Sequence, residues 1–222
     1  MVKASERSTK KRRLLVWSLV LVLALLIVSF RLVEDIGHEW EPFDRFIVKR
    51  VLDGDSVELQ GGDRLRLLAV DTPEKGQRLY DEAMRFLDSL TIGQKANITY
   101  AGRRRDRYGR LLGFLYIDTL FINRLILQNG LGYLYLFRDT EINSPEIRGL
   151  LRAQRDAIEN KVGLHGIERT PEEYYVAMQG SFRYHRPGCR AVRDLKPGTY
   201  RIFETREEAL YEGLSPCRNC RP

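Results

Sequence analysis

Histidine and cysteine are scarce in this chain of 222 residues, which has three of each. The histidines are His38, His165 and His185, and all three cysteines lie within the last 34 residues. Residues 39–164 therefore contain neither type. Because imidazole and thiolate groups favour the softer metals, this middle stretch offers a metal ion only oxygen donors, which suit hard cations.

A strong excess of positive charge is also lacking outside the first residues. The formal net charge is +7, but residues 1–13 alone hold six basic residues and one acid. The remaining sequence has 31 basic and 29 acidic residues, so its net charge gives little indication of a nucleic-acid partner. Only local clusters can indicate one, and residues 102–110 form such a cluster with five arginines.

Charge is absent altogether from residues 14–30, which are apolar on every face of a helix. A helix of this length spans about 26 Å, and it can cross a bilayer if Arg31 snorkels and two further apolar residues extend it. The sequence predicts a basic cytoplasmic tail at residues 1–13 and a transmembrane signal-anchor helix at residues 14–33. The positive-inside rule then places the N-terminus in the cytoplasm and the later domains outside the cell membrane.

A cleaved signal peptide is the alternative interpretation of this segment, and it would give a secreted protein. The apolar run is long for a signal peptide, and residues 28–30 (V-S-F) form a poor cleavage site. Either interpretation exports the rest of the chain. Residues 34–44 are predicted to be a linker.

The central stretch of the sequence, residues 51–74, predicts a β-hairpin. Two short apolar runs flank a turn at residues 60–63 (Q-G-G-D). Asp55 begins the outgoing strand, and Asp71 ends the returning strand, which Pro73 stops because proline cannot donate to the ladder. The two carboxylates are therefore expected to converge at one end of the hairpin.

Three further residues extend this expected cluster. Glu74 lies one step beyond Asp71, and Arg66 lies within the returning strand. Gly54 leaves the backbone beside Asp55 free to adopt a conformation closed to other residues. Three carboxylates and one guanidinium on a rigid hairpin indicate a metal site with a phosphate clamp.

The remaining pattern of the middle region predicts an α+β arrangement. Further strands are expected at residues 46–51, 95–101 and 111–118, and an aromatic strand-like run at residues 132–137. Helices are expected at residues 78–90, 122–129 and 145–161, the last with Ser144 as its N-cap. Five strands and three helices in this order predict a small β-barrel with packed helices.

Three ordered motifs resemble the staphylococcal-nuclease-like (thermonuclease) family. They are residues 53–57 (D-G-D-S-V), residues 66–74 (R-L-L-A-V-D-T-P-E) and residues 106–110 (D-R-Y-G-R). The resemblance covers about residues 45–166. It implies an OB-type five-stranded barrel with packed helices at residues 45–168, a fold often used to bind oligonucleotides.

The resemblance also implies a role for six residues. It implies that a catalytic calcium ion is held by Asp55, Asp71 and Thr72, the last through its backbone carbonyl. It maps the general base to Glu74 and the two phosphate-binding arginines to Arg66 and Arg110. These roles agree with general chemistry, because hard oxygen donors suit calcium and guanidinium groups match phosphate oxygens in pairs.

A second pattern lies near the end of the sequence, in His185-x3-Cys189-x27-Cys217-x2-Cys220. Four nitrogen and sulfur ligands with this spacing predict a structural, tetrahedral zinc ion in a small α/β module at residues 174–222. A Cys217–Cys220 disulfide with Cys189 free is the alternative, and export to an oxidising compartment would favour it. The module resembles the zinc-binding domain of the Ada DNA-repair protein.

Together these features predict a membrane-anchored, externally facing, calcium-dependent endonuclease. It would hydrolyse DNA and RNA with little sequence preference, because its proposed contacts are with the phosphate backbone, which carries no sequence information. The alternative is a non-catalytic or weakly catalytic surface module for nucleic-acid binding or uptake. The retention of all three acids and both arginines favours the enzyme.

Overall fold

The longest strand, β1 (Asp44–Asp53), begins the part of the chain that the computed structural model describes, which is residues 44–138 and 140–222 together with Trp17 and Val22. Trp17 and Val22 are helical, and the rest of the predicted transmembrane segment at residues 14–33 lies outside the described residues. Among the described residues, no helix is both long and apolar enough to cross a membrane. The membrane anchor stays a prediction.

Five strands close into a barrel, as the sequence predicted. The strands are β1, β2 (Ser56–Leu59), β3 (Arg64–Leu67), β5 (Lys95–Thr99) and β6 (Leu111–Ile117). Neighbours run antiparallel in the order β3-β2-β1-β5-β6, and a parallel pairing of β3 with β6 closes the ring. A short strand, β7 (Leu120–Phe121), pairs with the C-terminal end of β6, beyond the residues that pair with β3. The barrel interior is filled by aliphatic side chains and Phe114, as a small barrel requires.

The central hairpin differs from its prediction in the returning strand. Strands β2 and β3 pair antiparallel with Ser56 opposite Arg66, but β3 ends at Leu67. The backbone then turns at Ala69, whose φ is +60°. The next two residues form β4 (Val70–Asp71), which pairs with β8 (Tyr133–Leu134) instead of β2. The prediction of a single returning strand that runs to Asp71 is therefore wrong.

Three helices pack around the barrel at α1 (Tyr80–Thr91), α2 (Ile122–Gln128) and α3 (Pro145–Glu159). The backbone N–H of Ile147 donates to the Ser144 hydroxyl at 3.3 Å, so the predicted N-cap of α3 is present. The buried Asn123 of α2 accepts from the backbone N–H of Leu115 and donates to the carbonyl of Leu68, at 2.9 and 2.8 Å. This amide ties α2 to the turn between β3 and β4.

The residues after the barrel form small two-stranded sheets and one short helix. Strand β9 (Tyr175–Met178) pairs antiparallel with β11 (Tyr200–Phe203), and β10 (Arg183–Tyr184) pairs parallel with β12 (Ser215–Pro216). Helix α4 (Arg206–Tyr211) begins after Thr205, whose hydroxyl accepts from the N–H of Glu208 at 3.1 Å. A short 3-10 turn at Gly163–His165 precedes this region.

The C-terminal region packs directly on the barrel. The side chain of Gln154 accepts from the N–H of Leu134 at 2.7 Å and donates to the carbonyl of Leu210 at 2.6 Å. Arg206, only 5% exposed, donates to the hydroxyl of Tyr133 at 3.1 Å. Tyr133 is thereby buried between the barrel and residues 174–222, and the two parts of the chain share a hydrophobic cluster.

Candidate active site

The two predicted carboxylates meet on the guanidinium of Arg66. One nitrogen, Nη2, lies 3.0 Å from Asp55 Oδ2 and 3.3 Å from Asp71 Oδ1. The other, Nη1, donates to the carbonyls of Leu67 and Val70 at 2.8 and 2.6 Å. Arg66 therefore holds the turn after β3 in a shape that returns Asp71 to Asp55, although the strand itself is interrupted.

Thr72 completes this convergence. Its backbone N–H and its hydroxyl both donate to Asp55 Oδ2, at 3.1 and 3.2 Å. The hydroxyl of Ser56 donates to the other carboxylate oxygen of Asp55 at 3.1 Å. Asp55 is thus buried and held on both oxygens, so it is fixed before any ligand binds.

Gly54 is required for close packing and not for the unusual backbone conformation that the sequence suggested. Its φ lies outside the left-handed region, but a Cβ atom added to it would lie 2.6 Å from Thr72 Oγ1 and 2.8 Å from Ala83 Cβ. Only the smallest residue lets the turn between β1 and β2 pass this close to Thr72 and helix α1.

We expect Gly54→Ala to lower the free energy of unfolding by about 1–3 kcal/mol, because the added methyl group displaces Thr72 or helix α1. Urea unfolding of the full chain measures this change. Gly61→Ala is the matched control, since its added Cβ meets nothing within 4 Å and should change stability by less than about 1 kcal/mol. Equal stability of the two variants would contradict the packing argument.

Asp53 is a further acid at this site that the sequence analysis left without a role. Its Oδ1 accepts from the N–H of Asp55 at 3.1 Å. Burial, followed by the neighbouring charge of Asp55, raises the pKa of Asp53 to about 6. A divalent cation placed among these oxygens would lower this pKa, because its charge favours the ionised carboxylate. Asp53 is the first acid of the D-G-D motif, and this position is the feature of the sequence that could have identified it as a site residue.

The donor set therefore fits the calcium ion that the sequence predicts. Asp55 and Asp71 both place a carboxylate oxygen beside one nitrogen of Arg66. The backbone N–H of Thr72 is hydrogen-bonded to Asp55. Within the part of the chain that the structure describes, no histidine or cysteine belongs to this cluster. Oxygen donors with crowded negative charge suit a hard divalent cation.

Arg110 borders the cluster from the arginine-rich loop. Its guanidinium makes two contacts with Asp106 Oδ2, through Nε and Nη2, each at 2.8 Å. The Nη1 group lies 3.5 Å from the Ser56 hydroxyl, next to Asp55. Tyr108 lies under the guanidinium, with 5.7 Å between Cζ and the ring centroid. Asp106 and Tyr108 thus orient Arg110 and leave one edge of it for an anion.

Glu74 follows Thr72 and Pro73 on the surface of the molecule. It is exposed, and its backbone N–H donates to the side-chain oxygen of Gln77 at 2.9 Å. Its carboxylate borders the same cavity, of about 620 Å³, as Asp71. A carboxylate that is free to meet water beside the metal-binding acids is suited to accept a proton.

An arginine from the C-terminal region reaches this site, and sequence reasoning did not identify it. The guanidinium of Arg218 donates to Asp71 Oδ1, across 147 residues of sequence. Arg218 Cζ also lies 5.1 Å from the ring centroid of Tyr135, and Arg183 Cζ lies 3.4 Å from the same centroid. No local pattern marks Arg218, because only the folded chain brings it to the barrel.

The four predicted zinc ligands form one cluster, in which ligand atoms of His185, Cys189, Cys217 and Cys220 all lie within 4.8 Å of one another. Both ring nitrogens of His185 are buried without a hydrogen-bond partner among the described residues. Burial and the charge of Arg183 lower the pKa of His185, so its imidazole is neutral and able to bind a metal. The three cysteines are free thiols in the structure.

This cluster fits a tetrahedral ion. Burial, with the neighbouring thiols, raises the pKa of Cys220 to about 12, and a zinc ion would reverse this by stabilising the thiolates. A buried imidazole without a partner and three gathered thiols supply the donors that structural zinc prefers.

The fold and the site together define a five-stranded OB-type barrel with a carboxylate and arginine cluster suited to a phosphodiester. The chain belongs to the staphylococcal nuclease homologue family, whose model matches residues 64–165. The match ends before residue 174, so the likeness of the C-terminal module to the Ada domain stays a prediction.

Three relatives illustrate this membership. An uncharacterized endonuclease of Escherichia coli O157:H7 is 34% identical over 112 residues, which cover 49% of this chain and 72% of the relative. A micrococcal nuclease of Shigella flexneri is 32% identical over 130 residues, with 52% and 73% covered. A thermonuclease of Staphylococcus intermedius is 28% identical over 132 residues, with 51% and 76% covered.

Proposed function

We propose that this chain is a calcium-dependent endonuclease that hydrolyses the phosphodiester bonds of DNA and RNA with little sequence preference. The observation that carries the proposal is the meeting of Asp55 and Asp71 on Arg66, with Glu74 lining the cavity at Asp71 and Arg110 lining the cavity at Arg66. The relatives named as nucleases support the same activity.

The side chains divide the reaction between them. Glu74 accepts a proton from the attacking water, whose oxygen forms the new bond to phosphorus while the bond to the 5′ oxygen breaks; the departing 5′ oxygen takes up a proton from solvent. Arg110 donates to the phosphate oxygens, whose negative charge increases in the transition state. The family resemblance assigns the same role to Arg66, whose Nη2 would exchange a contact with Asp55 or Asp71 for the phosphate. A calcium ion held by Asp55, Asp71 and Thr72 would add Lewis-acid stabilisation and orient the water.

The lack of sequence preference follows from the groups that are present. Arginines 66 and 110 bind phosphate oxygens, which carry no base information. Tyr133 is buried against Arg206, and one neighbour of the Tyr135 ring is Arg183, so base stacking on these two rings is restricted. The products expected from the family resemblance carry 3′-phosphates.

The proposed activity is tested by incubating the full chain with plasmid DNA and with RNA, in calcium or in a calcium chelator. We expect both polymers to be cut in calcium and neither in the chelator. Binding of both polymers without cleavage would reject the enzyme and favour the non-catalytic binding or uptake module.

We expect Arg110→Ala to lower kcat about a hundredfold to a thousandfold, because a donor directed at the transition-state charge is removed. Single-turnover cleavage in saturating calcium measures the effect. Arg85→Ala is the control, since Arg85 is 72% exposed on helix α1 and its one ion pair among the described residues is with Glu82 at 3.7 Å. Unchanged turnover in the Arg110 variant would refute its assigned role.

The metal of the C-terminal module and the location of the protein complete the proposal. We propose that His185 and the three cysteines hold a structural zinc ion that stabilises residues 174–222. Residues 14–33 are proposed to anchor the protein in the cell membrane, with the catalytic domain outside, where calcium is abundant enough to fill a weak site. Release of the protein from membranes by alkaline carbonate would contradict the anchor.

A further inference from the structure

Arg218 lies where two cavities of the active site meet. One cavity, of about 620 Å³, is bordered by Asp71 and the proposed base Glu74. The other, of about 540 Å³, is bordered by the phosphate-binding arginines, Arg66 and Arg110. Arg218 lines both cavities, so its side chain stands between the base and the phosphate clamp.

This position has a direct consequence for a bound phosphodiester. The scissile phosphate contacts Arg110, and the water that attacks it is the one deprotonated by Glu74. The phosphate must therefore lie in the region between the two cavities. Any strand that does so passes the guanidinium of Arg218, which is 53% exposed and carries a permanent positive charge. The first cavity also presents arginines to a continuing strand, namely Arg78, Arg169 and Arg221.

Arg218 is paired with Asp71, a carboxylate that is also a proposed calcium ligand. The carboxylate of Asp71 accepts from the guanidinium of Arg218 and, as proposed, also binds calcium. A divalent cation at Asp71 would compete with the guanidinium for that carboxylate and would repel the guanidinium. The phosphate backbone of the substrate is the anion that then lies nearest to the displaced guanidinium.

The backbone of Arg218 is held by the cysteine cluster. Its neighbours Cys217 and Cys220 belong to the predicted zinc site, and the N–H of Arg221 donates to the carbonyl of Cys217 at 2.9 Å. The N–H of Cys217 donates in turn to the carbonyl of Tyr184 at 2.9 Å. The C-terminal module thus fixes the base of a side chain whose tip can move between Asp71 and an incoming anion.

We propose that Arg218 is a substrate-binding residue of the nuclease site, which contacts the phosphodiester backbone where the strand passes from one cavity to the other. This inference rests on the proposed nuclease function. It gives residues 174–222 a part in substrate recognition at the barrel site, through one arginine carried on the Cys217–Cys220 turn.

The test compares Arg218→Ala and Arg218→Lys in the full chain with Arg193→Ala. Arg193 is an exposed arginine of the same module that faces only Asp194, so this control removes an equal charge away from both cavities. We expect Arg218→Ala to raise KM for a single-stranded oligonucleotide about tenfold, with a smaller change in kcat. Arg218→Lys should recover part of the loss, and Arg193→Ala should leave KM unchanged.

A binding measurement separates this inference from the proposed function. The same substitutions are made in a Glu74→Gln background, and fluorescence anisotropy follows binding of a labelled oligonucleotide in calcium. Weaker binding caused by Arg218→Ala supports the inference even if the parent chain cuts nothing. Equal binding by the Arg218 and Arg193 variants overturns it. Faster cleavage and a lower calcium requirement in Arg218→Ala would also overturn it, because Arg218 would then only block the metal site.

Discussion

Replacing Glu74 by glutamine is expected to lower kcat for DNA cleavage about a hundredfold to ten-thousandfold, with a much smaller effect on KM. Glutamine keeps the size of the side chain but cannot accept the proton of the attacking water, and general-base catalysis typically contributes a factor of this size. Glu74 is exposed, and within the part of the chain that the structure describes its carboxylate accepts no hydrogen bond. Its replacement should therefore leave the fold intact.

Glu82→Gln is the matched control for this experiment. Glu82 is a half-exposed acid on helix α1 that faces Arg85 at 3.7 Å, outside both cavities. Initial rates at saturating calcium, over a range of oligonucleotide concentrations, separate kcat from KM. A Glu74 variant that loses affinity but keeps its turnover would show that the base lies elsewhere.

Removal of one cysteine from the C-terminal cluster is expected to have the largest effect on stability. The hydrophobic cluster around the four ligands is small, with Val176 and Val192 beside Cys189 and Cys217. Without a bound ion, this small cluster contributes little to ordering the loops that carry the four ligands, although the module's second cluster still packs against Tyr133 of the barrel. Cys217→Ser should lower the thermal midpoint of the full chain by about 10 °C, equivalent to several kcal/mol.

A second substitution distinguishes zinc from a disulfide. Cys217→His keeps a zinc ligand but cannot form a disulfide with Cys220, so we expect it to recover most of the stability and to retain about one zinc ion for each chain. Metal analysis and thermal unfolding of both variants measure this difference. Equal loss of stability in the two variants, without zinc in the parent protein, would favour the disulfide.

The sequence predicted the barrel and the convergence of its acids, although one step in that prediction was wrong. The alternating apolar pattern and the Gln60-Gly61-Gly62-Asp63 turn identify β2 and β3, because local spacing determines a hairpin. Asp71 instead belongs to a strand that pairs with β8, and the contacts of Arg66 with two carbonyls create that break. A buried guanidinium that organises backbone carbonyls leaves no periodic signal in the sequence.

The contact of the C-terminal module with the acids of the site could not be predicted from local sequence patterns. Cys217 and Cys220 were visible as metal ligands because their spacing is local, whereas the contact of Arg218 with Asp71 joins residues 147 positions apart. The burial of Tyr133 by Arg206 could not be predicted for the same reason, because the two residues are far apart in the sequence. Gly54 was identified as special, but its reason is the closeness of Thr72, which depends on tertiary packing.

Cleavage of a 5′-labelled oligonucleotide by the full chain, in calcium and in a chelator, tests the central claim most directly. We predict a calcium-dependent series of internal cuts whose labelled fragments carry 3′-phosphates, with Glu74→Gln leaving the substrate intact. A folded protein that binds the oligonucleotide in calcium and never cuts it would contradict the proposed mechanism. The cluster of Asp55, Asp71 and Arg66 would then serve binding alone.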